Sequence, residues 1–97
     1  MKRQLTTLAV ALSLSTLAWA QQGVSKDTLT LGSIQDLSGP LAGFGKQVRM
    51  GLLLATDELN EQGGINGRKV EIKIEDSGYD PKRAVLAAQK LVNQDKI

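Results

Sequence analysis

From residue 28 onward the chain switches twice between a two-residue and a helical hydrophobic period. In TLTLGSIQ, residues 28–35, Leu29, Leu31 and, one step out of phase, Ile34 alternate with small or polar residues, which predicts a strand. DLSGPLAGFG, residues 36–45, is dense in turn residues and predicts a loop. Over residues 46–62, Val48, Leu52, Ala55 and Leu59 recur on one helical face, widened by Gly51, Leu53 and Leu54. Gly51 costs roughly 1 kcal/mol relative to Ala in mid-helix, so a close backbone contact is expected there. Gly63 and Gly64 cap the helix. In KVEIKIE, residues 69–75, Val70, Ile72 and Ile74 face one way and Glu71, Lys73 and Glu75 the other, a strand buried on one face. A short loop, 76–80, ends in Asp80-Pro81, the residues of a helix cap and first turn. Ala84, Val85, Ala88, Leu91 and Val92 form the apolar stripe of that second helix. The order strand, helix, strand, helix predicts an α/β fold with a parallel sheet, a β-α-β-α unit, and Ile97 approaches a third strand.

The first 20 residues have another pattern. Lys2 and Arg3 precede an apolar run from Leu5 to Ala20 that closes on Ala18-Trp19-Ala20, which is the make-up of a secretory signal peptide. The run is shorter than the ~20 predominantly apolar residues of a spanning helix and is broken by Thr and Ser. Cleavage after Ala20 would leave residues 21–97, whose ten basic and ten acidic side chains cancel. The net charge of +2 on the whole chain therefore belongs to the leader, and nucleic acid is not an expected partner. The chain has no Cys, so it has neither disulfides nor a lipid-attachment site, and no His, which excludes His-based metal sites and catalytic triads. With Phe44 and Tyr79 the only aromatics after the leader, the core is small, and the chain reads as the front portion of something larger.

Ligands of open parallel sheets gather beyond the carboxyl ends of the strands, here the loops 36–45 and 76–80. The first loop is glycine-rich but matches no phosphate motif. Gly39 and Gly45 are six apart rather than five, and Gly43 and Gly45 are followed by Val48 where a dinucleotide fingerprint needs glycine. Phe44 has two readings: a staple packing the loop onto the sheet, or an apolar wall of a ligand cleft. Ser38 is either a turn residue or a polar group of the same cleft. Gly43 and Gly45, flanking the ring, would let the backbone approach a solute. Lys46 and Arg49 near the helix start, with Glu58 and Glu61 near its end, oppose the helix dipole, as a solvated surface or a positive rim. Asp76 and Asp80 read as turn and cap residues rather than metal ligands or catalysts, and no cofactor is called for.

The run LTLGSIQDLSGPLAGFG (29–45), then GLLLATDELN (51–60), GGINGR (63–68), Glu75-Asp76, Asp80-Pro81 and the helix at 84–93 resemble the leucine/isoleucine/valine-binding protein family. These are type I periplasmic solute-binding proteins of ABC importers. The resemblance implies two α/β lobes closing on a small solute, the chain being the start of the first lobe, with a membrane permease as partner and the periplasm as location. It also implies that Phe44 lies at the cleft, that the second strand is a sheet edge, and that most solute-gripping residues come after Ile97. Two alternatives stand beside it: an enzyme or receiver-type α/β domain using the Asp36 or Asp76 loops, and a truncated reading frame without independent function.

Overall fold

The structure, a computed structural model, describes residues 21–97; the leader expected at 1–20 lies outside the described residues. Strand β1 (Thr28–Gln35), helix α1 (Ala42–Glu61), strand β2 (Lys69–Asp76) and helix α2 (Pro81–Asn93) follow in the predicted order. The strands pair in parallel, Thr28 beside Lys69 through Gln35 beside Asp76. Lys69 N–H donates to the Asp27 carbonyl and Ser77 N–H to that of Gln35, so the ladder extends one bond beyond each end.

Helix α2 lies on the sheet face that carries Gly32, Lys73 and Glu75. Leu91 meets Gly32 there, Lys90 pairs with Glu75, and Lys73 reaches Asp95 at 3.6 Å. By the strand's alternation Val70, Ile72 and Ile74 belong to the opposite face, where α1 packs and leaves Val70 only 4% exposed. With helices on both faces, the buried apolar residues among those described are Val70, Ala87 and Leu91.

Backbone polar groups that a two-stranded sheet leaves open are partly taken up locally. Asn60, at the end of α1, donates from Nδ2 to the Val70 carbonyl and accepts the Val70 N–H on Oδ1, both at 2.8 Å. Its amide therefore bonds Val70 as a neighbouring strand would, on the side of β2 away from β1. On the outer side of β1, Thr30 N–H donates to the Gly23 carbonyl at 2.7 Å and Ser25 N–H to that of Thr28 at 2.9 Å.

Several expectations are corrected. Helix α1 starts at Ala42, not Lys46, so Gly43, Phe44 and Gly45 sit in its first turn rather than in a loop. Its inward row is Gly45, Leu52, Thr56, Leu59 and Asn60, while Val48 and Ala55 are exposed. The helix has turned toward two polar residues because both are satisfied there: Asn60 bonds Val70, and the Thr56 hydroxyl donates to the Leu52 carbonyl at 2.7 Å. No close contact accounts for Gly51, which has open space around the position of a Cβ. On α2, Ala84, Ala87, Ala88 and Leu91 face inward, whereas Val85 and Val92 are exposed. Ile97 is not in a strand; its side chain rests near Gly23 and Gly32, beside β1. Among the described residues no helix is long and apolar enough to cross a membrane.

Candidate functional site

The two strands end at the same level, and the turns that follow them touch. After β1, Asp36 turns its carboxylate back on its own chain. Oδ1 accepts from Ser38 N–H at 3.2 Å and Gly39 N–H at 2.6 Å, and Oδ2 from Leu41 N–H at 2.7 Å. An ionised carboxylate has acceptor sites for all three and no donor to conflict with them. Leu41 occupies the cap position of α1 without a side-chain cap bond, and the Ala42 N–H is taken by the Gly39 carbonyl at 3.1 Å.

From β2, Asp76 reaches across. Its Oδ1 accepts from Leu37 N–H at 2.9 Å and from Gly78 N–H at 2.8 Å, and its Oδ2 meets the Arg83 guanidinium at 3.2 Å. The Ser38 hydroxyl beside it, then the Leu37 and Gly78 N–H groups, with the Arg83 cation adding to them, hold the Asp76 carboxyl well below the usual carboxylate range. Asp80 caps α2, accepting from Arg83 N–H at 3.0 Å, with Pro81 at the first helical position. Asp76 and Asp80 are thus the turn and cap residues that their spacing suggests.

In front of this scaffold stand the candidate contact groups. Phe44 is 72% exposed, so in this chain its ring is not a staple packed onto the sheet. Ser38 is exposed as well. Of the two flanking glycines, Gly43 faces open space, whereas Gly45 is buried against the backbone of Asp36, where an added Cβ would collide with the carbonyl. Gly45 therefore serves close packing of α1 on β1 rather than an approach to solute.

Two participants were not singled out from the sequence. Asp36 is one, named only for its loop and not as the acceptor on which three N–H donors converge; the local Asp-x-Ser-Gly spacing of an Asx turn was its signal. Tyr79 is the other: exposed, in the left-handed backbone region at φ 58°, and bordering an open concavity of about 500 Å³ with Ser77, Asp80, Pro81 and Ala84. Among the described residues no group of three or more carboxylates stands together as metal ligands.

A model of the periplasmic binding protein family matches residues 28–97. The chain is 39% identical over 92 residues to a Leu/Ile/Val-binding protein of Rhizobium johnstonii, covering 95% of this chain and 23% of that protein. It is 34% identical over 91 residues to a leucine-, isoleucine-, valine-, threonine- and alanine-binding protein of Pseudomonas aeruginosa, covering 94% and 24%. Among solved structures, a fatty acid ABC transporter substrate-binding protein from Thermomonospora curvata superposes with a TM-score of 0.73 at 38% identity, over 75% of this chain and 19% of that one. A branched-chain amino acid transporter substrate-binding protein from Streptococcus pneumoniae, solved in complex with isoleucine, gives 0.70 at 34% identity, over 73% and 20%. The chain spans about a quarter of the length of the curated relatives it matches.

Proposed function

The chain belongs to the periplasmic binding protein family, and on that premise we propose that it opens the first lobe of a solute-binding component of an ABC transporter, taking branched-chain or other amino acids. The observation that carries this reading is the exposed Phe44, placed with Ser38 at the carboxyl ends of two parallel strands. A ring there offers an apolar wall to an aliphatic side chain, and the neighbouring turn offers polar groups. The reading assigns this end of the sheet to one wall of a cleft, with a second lobe supplying the other and most of the groups that grip the amino acid. It assigns binding and release, not catalysis, and a membrane permease as the partner that receives the solute. The two relatives whose names specify amino acids favour this class; the likeness to a fatty acid binder defines the competing ligand.

The test is calorimetric titration of the full-length protein with leucine, isoleucine, valine, threonine, alanine and a medium-chain fatty acid. Saturable binding of one or more amino acids is expected. Binding of the fatty acid alone would transfer the reading to apolar acids, and binding of none would remove it. Work in the periplasm also requires export. The reading therefore includes cleavage after Ala20, checked by mass spectrometry: the mature chain should begin at Gln21, and intact Met1 in the membrane fraction would reject it.

A further inference from the structure

Behind the exposed face of the site stand two carboxylates whose oxygens are engaged by the protein's own backbone and, for Asp76, by Arg83 as well. Asp36 is 8% exposed, the one buried charged residue among the described residues. Its three bonds, to Ser38, Gly39 and Leu41 N–H groups, span the turn that delivers the chain into α1. Asp76 ties the same turn from outside, through Leu37 N–H, 39 positions away in sequence. The backbones meet without room for side chains. A Cβ on Gly39 would strike the Gly78 carbonyl, and one on Gly45 would strike that of Asp36. Four of the five N–H or ring positions from 37 to 41 are thus fixed by two carboxylates, Pro40 having no N–H to fix.

We propose that Asp36 and Asp76 are positioning residues of the solute site, two carboxylates that fix the 37–41 turn and, through it, the places of Ser38 and Phe44. The inference rests on the reading of Ser38 and Phe44 as solute contacts. An amide at position 36 keeps the volume and one acceptor oxygen, but turns donors toward a backbone N–H. The turn then loses at least one tie, and an untied Gly-Pro turn samples many arrangements of which few present the ring correctly.

The experiment uses the full-length protein and two readouts. Hydrogen exchange followed by mass spectrometry should show the 37–41 amides exchanging at least about tenfold faster in Asp36→Asn, with residues 69–76 unchanged. Glu71→Gln removes a negative charge from an exposed position of β2 and should alter neither region. In leucine titrations Asp36→Asn should weaken binding by roughly tenfold, the scale of a lost bond to a charged group. Made in a Phe44→Ala background, the same change should cost clearly less than in wild type, because the ring is gone and only the placing of Ser38 is left to lose. Where Asp36→Asn is too unstable to purify, Asp76→Ala removes the tie to Leu37 together with the bonds to Gly78 N–H and Arg83, and is read by the exchange of the Leu37 amide and by the same leucine titrations. Additive losses of affinity, or unchanged exchange in the turn, would overturn the proposal. A wild-type protein that binds no offered amino acid would sink the functional reading instead, and exchange alone would then decide whether the carboxylates hold the turn.

Discussion

Gly45 and Gly51 share a helix and a residue type, yet their surroundings assign opposite consequences to one added methyl group. Alanine gains up to about 1 kcal/mol over glycine inside a helix. At Gly51 nothing among the described residues stands within 4 Å of the new Cβ, so Gly51→Ala should stabilise by about 0.5–1 kcal/mol. At Gly45 the Cβ would be driven into the Asp36 backbone, which cannot swing aside as a side chain can. Overpacking of this kind costs about 1–3 kcal/mol, which outweighs the helical gain, so Gly45→Ala should destabilise. Urea midpoints of the two variants against wild type check the signs, and a shift in the same direction for both would show that the contact at Asp36 is soft.

Among the elements, the join between the turns after β1 and β2 carries the pH dependence. Asp76 has a carboxyl pKa lowered in the fold, below the ~3.9 of an unfolded aspartate. A depressed pKa contributes stability that is present above the unfolded value and lost as pH falls through the folded one. Wild type should therefore lose its advantage over Asp76→Asn as the pH is taken down from about 5, in denaturant titrations at stepped pH. A gap between the two that stays constant down to pH 3 would mean that the carboxylate charge is idle. The elements themselves were largely legible: β2 from the alternation of Val70, Ile72 and Ile74, and α2 from Asp80-Pro81. The start of α1 was hidden because Gly43 and Gly45 look like loop residues, and only the contact with Asp36 shows why a glycine belongs in that first turn. Its inward face was hidden because periodicity counts apolar residues, whereas the row that packs includes Thr56 and Asn60, whose partners are backbone groups no sequence pattern displays. Within the site, Phe44 and Ser38 could be marked as candidates, but the sequence left open whether the ring packs or stands exposed, and it could not show the bond from Asp76 to Leu37, which links positions far apart in the chain.

At the scale of the whole molecule, apolar surface is left uncovered on several sides: Leu31 on β1, Val48, Met50 and Leu54 on α1, and Val85, Leu86 and Val92 on α2 are all exposed. Against three buried apolar residues, that is little core for residues 21–97 to fold on. Expressed alone, this stretch should unfold broadly, with weak cooperativity, and associate as its concentration rises. A sharp two-state melt of a monomer above about 60 °C would establish it as a self-sufficient domain. The way it associates is constrained by Asn60. Strand addition needs a row of free N–H and C=O groups, and on the outer side of β2 that row opens with Val70, whose pair already serves the Asn60 amide. On the other flank Gly23 and Ser25 occupy Thr30 and Thr28, which leaves the stretch of β1 from Gly32 to Ile34 unblocked. The sheet is therefore a template guarded at one end: the first outward rungs are taken on both flanks, at Val70 past β2 and at Thr28 and Thr30 past β1, so a new strand, whether from its own chain or from a stranger, can seat only against the later stretches, from Ile72 on one side and Gly32 on the other.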